Sequence, residues 1–421
     1  MAAANAVVFD THVRNPWQIR RDALLRRHGK IDYHRLRIGS RQIEPRNLGQ
    51  FLRVRRRPQS ARLAQQTASL SFWMLKRPLL ANGQGRIHDD AEHDDADEDD
   101  GDDEAPRKPT YVEELESKLA DPRYARRRKI GSFSAASNVT GIKVPVYRLA
   151  SLLHRHDALA CFDFAACAPY VELDMNRDEE SAFDAIFFSP HKFLGGPGSS
   201  GVLVFNRRIY HSELPPSVSA GGTVDYVGPD SQDFIVDIEE REKAGTPGVL
   251  QILKAGLAFQ VKDHIGVPAI EKRERELLDR TLERWSRNPN IEILGNPDPQ
   301  RRISIVSFNL KDPRGKYLHP KFVTTLLNDL FGIQSRAGCS CAGPYGHRLL
   351  HIDEQTSERY RTAVQQGYCG LKPGWCRVGL HWVMDDAEAD YVIDAVHFLA
   401  REGHLFLALY DFDLATGTWV H

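Results

Sequence analysis

A primary amine at the tip of a strand, followed by a glycine-rich turn, is placed to condense with an aldehyde. The run Ser189-Pro190-His191-Lys192-Phe193-Leu194-Gly195-Gly196-Pro197-Gly198 has that form. To attack, Lys192 must be partly neutral, which calls for desolvation and neighbouring cations. The glycines let the backbone come close to a bound ring or phosphate. Taken alone, Lys-x-x-Gly-Gly describes a surface lysine before a turn equally well. A second group is Asp163, in the run CFDFAAC. A carboxylate buried against a pyridine nitrogen keeps that nitrogen protonated and makes the ring an electron sink. The competing reading is an N-cap aspartate at a strand-to-helix turn. One strand–helix–strand step separates Asp163 from Lys192, so neighbouring strands can present both groups to one ligand.

The elements that must hold these groups read as an α/β chain from about Tyr111 onward. TYVEELESKLADPRY is a helix, with Thr110 as N-cap and Glu113 closing a capping box. KIGSFSAASNVTG is a strand running into a polar loop, and PVYRLASLLHRH an amphipathic helix. ALACFDFAA, AFDAIFFSPHK and GVLVFN are strands. Strands alternating with helices predict a mostly parallel sheet, with ligands beyond the carboxyl ends of its strands. Ser137-Asn138, Asp163 and Ser189-His191-Lys192 fall at that edge. GVLQILKAGLAFQVKDHIG is a long helix started by Thr246-Pro247, and KRERELLDRTLERW continues helical. RISIVSFNL alternates like a strand with one buried face, and HPKFVTTLLNDLFG is a helix closed by Gly332. The expected division is an irregular basic extension over residues 1–88, an acidic disordered linker over 89–108, a ligand-binding large domain over 109–265 and a smaller α+β domain over 266–421.

Composition removes several functional classes. The 421 residues carry a formal net charge of -1, which implies neither a polyanionic partner nor a membrane surface. No apolar run is long enough to span a bilayer. The arginines of QIRRDALLRRHGK and RVRRRPQSAR read as a solvated arm, since no nucleic-acid module accompanies them. The run DDAEHDDADEDDGDDE repels itself and cannot bury apolar surface. Six cysteines in a chain of this length make no disulfide scaffold, and MAAANAVVFD lacks the features of a secretory signal. The expected compartment is the cytoplasm, with a mitochondrial transit segment as the weaker alternative.

The motifs SNVTGI, D-x-A-A, SPHKFLGGPGSSGVLV, GGTV, AGTP and SRAGCSCAGPYGH occur in the order found in class V aminotransferases and cysteine desulfurases. From Tyr111 to His421 the chain resembles that family of fold type I pyridoxal 5'-phosphate (PLP) enzymes. The resemblance implies a PLP-dependent enzyme acting on an amino acid through a Schiff base on Lys192, which also moves the Cα proton. It implies that Asp163 pairs with the pyridine nitrogen, that Ser189 and His191 contact the phosphate, and that Asn138 lies near the substrate carboxylate and ring hydroxyl. Thr223 would reach the phosphate of a neighbouring subunit, which makes the enzyme a homodimer. Arg377, in WCRVGL, would clamp the substrate carboxylate, a task suited to a bidentate guanidinium.

Cys341 stands where group II desulfurases carry the nucleophile that takes up sulfur as a persulfide. The alternative is a small buried residue in a turn, and Cys339 replaces the histidine usual two positions earlier. Cys339, Cys341 and His347, with Cys369 or Cys376, also suggest zinc, but no CxxC pair supports it and no metal is expected. Two further departures stand out. Ala166 occupies the place of a glutamine that desulfurases usually carry. Before Tyr111 neither the family's phosphate-binding helix start nor its ring-stacking histidine is found, and His12 takes no role. The expectation is an N-terminally incomplete or divergent member. Its alternatives are a desulfurase using Cys341, or a degenerate relative serving as a binding or dimerisation module.

Overall fold

The computed structural model describes residues 110–339 and 342–421. The basic extension and the acidic linker lie outside the described residues, as does Cys341.

Helix α1 (Tyr111–Ala120) opens with the expected capping box. The Thr110 hydroxyl accepts the Glu113 amide at 3.3 Å, and the Glu113 carboxylate accepts the Thr110 amide at 2.8 Å. Strand β1 (Lys129–Ser134), helix α2 (Val146–Arg155), β2 (Ala158–Asp163), β3 (Ala185–Phe188) and β4 (Val202–Phe205) follow. They build a sheet of order β1-β2-β3-β4, parallel except for the β3–β4 pair. Helix α2 buries Leu149, Leu152 and Leu153, the i, i+3, i+4 stripe of an amphipathic helix. These side chains share a core with Phe162 and Phe183, whose ring centroids are 4.7 Å apart.

The crossover between β2 and β3 departs from the expected strand–helix–strand step. Residues 164–184 form turns and coil without a helix. Pro169 interrupts the first part. Asp178 then closes a polar turn by accepting both the Ser181 amide and hydroxyl. Fully buried Phe183 stacks on Tyr147 at 4.9 Å and supplies apolar packing that a crossover helix would otherwise give.

A hairpin of β5 (Val224–Val227) and β6 (Gln232–Phe234) precedes helices α3 (Val249–Ile265) and α4 (Val267–Ser286). The helix begins after Gly248 rather than at Thr246-Pro247, and the expected continuous helix is broken in two. Gly266 takes φ +84°, which stops α3, and Pro268 seats the first turn of α4.

The second sheet is antiparallel, in the order β7-β8-β10-β9, from β7 (Ile291–Ile293), β8 (Ile305–Leu310), β9 (Arg336–Gly338) and β10 (Trp375–Gly379). Helices α4, α5 (Pro320–Phe331) and α6 (Asp386–Glu402) pack Leu277, Trp285, Phe322 and Val396 around Phe308. The α5 helix ends at left-handed Gly332, as its sequence predicts. Strand β8 was expected to bury one face, yet it is buried from Val306 to Leu310. Its second face is covered by the turn after β1, where the Ser307 hydroxyl donates to the Val139 carbonyl at 2.6 Å. The pair β11 (Asp411–Asp413) and β12 (Thr418–Val420) closes the chain. Among the described residues no helix is long and apolar enough to cross a membrane.

Gly141 joins the two sheets. At φ +79° it donates no side chain, and a Cβ there would sit 2.7 Å from the carbonyl oxygens of both Ile303 and Ile305. Its own carbonyl accepts the Ile303 amide at 2.9 Å. Gly141→Ala should therefore destabilise the protein by about 1–3 kcal/mol, combining strain with a backbone clash. The check is a urea unfolding midpoint, and an unchanged midpoint would contradict this account of the junction.

Candidate active site

The registers Ser134↔Asp163 and Asp163↔Phe187 place Asp163 at the carboxyl edge of the first sheet. Strand β3 ends one residue before Ser189, and a single 3-10 turn, Pro190–Lys192, carries Lys192 past the same edge. The turn is held by the Ser189 carbonyl, which accepts the Lys192 amide at 3.0 Å. Phe193 anchors it from below, buried against Phe259 with centroids 4.9 Å apart. The glycine-rich loop is required locally: a Cβ on Gly196 would lie 1.9 Å from the Pro190 carbonyl oxygen.

Burial lowers the pKa of the Lys192 amine, and Arg377 and Arg336 push it down further. The carboxylate of Asp163 and the thiol of Cys167 act in the opposite sense. Lys192 is thus a desolvated amine among two guanidiniums and one carboxylate, the environment that its sequence context calls for. Burial and the neighbouring Lys192 likewise lower the pKa of His191, whose buried Nε2 has no hydrogen-bond partner. A buried ring nitrogen without a partner is uncommon and favours a polar ligand atom beside it. Asp163 Oδ1 accepts the Ala165 amide at 2.8 Å and so caps the turn after β2, which leads into no helix. Ala166 packs against the apolar core of the first sheet.

Arg377 comes from the second sheet, where β10 sets it opposite Ser307 of β8 and Arg336 of β9. Its Nη1 donates to the Asn138 carbonyl, tying the SNVTGI turn to β10. Burial is the main cause that lowers the Arg377 pKa, Arg336 adds to it, and Tyr170 opposes them. Two arginines directly opposite across a strand pair repel each other, and an anion between them removes the conflict. Arg336 and Tyr170 were not singled out by sequence. The signal for Arg336 exists only once the β9–β10 register is known, because nothing in SRAGCS alone says which residue it faces.

Thr223 is placed differently. It is fully buried, its hydroxyl donates to the Ala220 carbonyl at 2.7 Å and it accepts the Ala220 amide at 3.2 Å. Among the described contacts none joins it to Lys192, Asp163 or Arg377. Two residues of the zinc reading are occupied elsewhere. His347 bonds the Gly343 carbonyl at 2.7 Å and the Ser357 hydroxyl at 2.9 Å, and buried Cys376 donates to the Pro320 carbonyl at 3.2 Å. Cys339 is exposed. Among the described residues no group of three or more His, Cys, Asp or Glu gathers to hold a metal.

The fold agrees with what comparison with known proteins finds. The family model for aminotransferase class V matches residues 110–392, more than half of the chain, and the chain belongs to that family. Probable cysteine desulfurases are similar in sequence. That of Halalkalibacterium halodurans is 32% identical over 233 residues, covering 55% of this chain and 52% of the relative. That of Staphylococcus aureus is 34% identical with the same coverage. The chain spans about half the length of these curated relatives. Among solved structures, the apo cysteine desulfurase of Thermococcus onnurineus superimposes with a TM-score of 0.56 at 24% identity, over 69% of this chain and 62% of that one. The Escherichia coli cysteine desulfurase CsdA gives 0.54 at 21% identity, over 68% and 61%. These likenesses define an α/β fold of the type I PLP-enzyme class.

Because Arg336 and Asp163 bias Lys192 in opposite directions, their removal should separate its titration. Arg336→Gln should move the pH midpoint for amine labelling of Lys192 upward, and Asp163→Asn should move it downward, each by about half a pH unit or more. Competitive labelling followed by mass spectrometry reads both midpoints. Movement in the reverse sense would break the electrostatic assignment.

Proposed function

We propose that the chain is a PLP-dependent enzyme acting on an amino acid, with Lys192 as the residue that holds the cofactor. The observation that carries this reading is the desolvated Lys192 amine beside Asp163, Arg377 and Arg336 at one sheet edge. The residues present fit the cofactor. The unpartnered His191 Nε2 suits a phosphate or ring contact, Asp163 suits a protonated pyridine nitrogen, and the turn at Gly196 leaves backbone close to the lysine. Bound there, pyridoxal phosphate supplies an electron-withdrawing ring that acidifies the Cα–H of an amino acid.

The chain's own groups would then divide the work. Arg377, steadied through Asn138, receives the substrate carboxylate, and Arg336 adds a second cation. Lys192, kept partly neutral by burial, takes up a proton at Nζ and returns it. Ser189 and His191 hold the phosphate end. The surrounding apolar side chains, Phe188 and Phe193 among them, exclude water.

Sulfur removal from cysteine is the reaction that we favour, because the similar relatives are named probable cysteine desulfurases and Cys341 sits in RAGCSCAGP. In that reaction the Cys341 thiolate forms an S–S bond to the substrate sulfur as the Cβ–S bond breaks. The electron pair stays with the carbon fragment, which gains a proton and leaves as alanine. We further propose two functional lobes, over residues 109–265 and 266–421, in a cytosol-like compartment. A homodimer is supported by the unusual exposure of α3, where Leu250 is 76% and Leu253 58% accessible.

Purified protein should show the visible absorption of bound cofactor, and Lys192→Ala should abolish it while leaving the fold intact by circular dichroism. Incubation with cysteine and a reductant should release sulfide, and Cys341→Ala should reduce the rate at least a hundredfold without loss of the absorption band. Absence of the band in the parent protein overturns the enzyme reading. A band without sulfide release leaves transamination in place and removes the desulfurase.

A further inference from the structure

A partly open polar cavity of about 70 Å³ lies where the loop after β2, helix α4 and the residues just before β8 meet. Lys143, Tyr170, Glu274, Arg275, Arg302 and Ser304 line it. Two of these side chains are more than nine-tenths buried and carry an unsatisfied atom: Glu274, 5% exposed, has no partner for Oε1, and Arg302, 3% exposed, has none for Nε. Arg275 adds a third, its buried Nη1. Arg302 is otherwise well fixed, donating through Nη1 to the Asn296 carbonyl and through Nη2 to that of Leu294. Ser304 and the Trp382 amide satisfy Glu274 on its other side.

Leaving three buried polar atoms unpaired around one cavity is costly unless something enters it. Burial raises the Glu274 pKa to about 8, so at neutral pH this group is largely a neutral acid able to donate. The open positions are then hydrogen-bond donors. The charge balance points the same way. Beside Glu274, the cavity is lined by three basic side chains, Lys143, Arg275 and Arg302, and one further carboxyl group, Glu271; burial lowers the Arg302 pKa to about 10. An excess of desolvated cations with unfilled donors is the chemistry of an anion site. The volume admits several water-sized groups, at roughly 10–15 Å³ for each, and so has room for an anion of three or four heavy atoms.

We propose that this cavity binds a small planar monoanion, a carboxylate or oxyanion of the size of formate, nitrate or bicarbonate. It is distinct from the Lys192 cluster, although Tyr170 lines the cavity and also feels the Arg377 charge. Tyr170 is thus a shared wall, through which occupancy of the cavity would reach the side of Arg377.

The test is thermal unfolding of the full chain in sodium formate, with sodium nitrate as a second arm and sodium chloride of equal ionic strength as control. Formate at ten times its dissociation constant should raise the midpoint by about 2 °C. The rise should persist in Arg377→Gln and vanish in Glu274→Leu and Arg302→Met. Should Arg302→Met fail to fold, Glu274→Leu decides. Broadening of the [13C]formate resonance by the unsubstituted protein, reversed by nitrate, gives a reading that needs no variant. No broadening, a rise that survives Glu274→Leu, or a rise that disappears in Arg377→Gln would each overturn the proposal. The last result would place the anion at the Arg377–Arg336 pair and leave the proposed activity untouched.

Discussion

The close approach of the SNVTGI turn to the second sheet is the constraint on which the rest of the molecule depends. Gly141 has no side chain because two carbonyl oxygens occupy the space, the Ser307 hydroxyl reaches the Val139 carbonyl, and Arg377 reaches the Asn138 carbonyl. Each contact is small. Together they bring a guanidinium that belongs to an antiparallel sheet within electrostatic reach of an amine that belongs to a mostly parallel one. Without that junction, Lys192 would lose the two guanidiniums that add to the effect of its burial.

The electrostatic character of the cluster follows from this assembly. Asp163 comes from the same sheet as Lys192 and stabilises its ammonium, whereas Arg377 and Arg336 come from the other sheet and oppose it. The balance leaves the amine below its usual basicity with burial as the largest cause. Catalytic lysines require that compromise, since a fully charged amine cannot attack and a fully neutral one cannot hold the proton it must return.

Much of the fold is legible in the chain. The Thr110–Glu113 capping box, the Gly332 stop, the strand tips at Asp163 and Phe188 and the glycine turn after Lys192 are local signals with local causes. What escapes is what depends on partners distant in sequence. The helix expected between β2 and β3 is replaced by turns, because Phe183 fills the apolar space and Pro169 disfavours regular structure. The second buried face of β8 exists only because another segment lies on it. Arg336 becomes visible beside Arg377 through the strand register, and Glu274 acquires its raised pKa from burial that no helical periodicity announces.

The cysteines illustrate a separate consequence of packing. Burial pushes the thiols of Cys161 and Cys167 up to about 11 and about 12, and that of Cys376 upward as well, with its sulfur donating to a carbonyl. At physiological pH these three sulfurs remain protonated and chemically quiet. Alkylating agents and mild oxidants therefore meet three shielded sulfurs, and the exposed Cys339 is an accessible handle for attaching a spectroscopic reporter within the RAGCSCAGP segment.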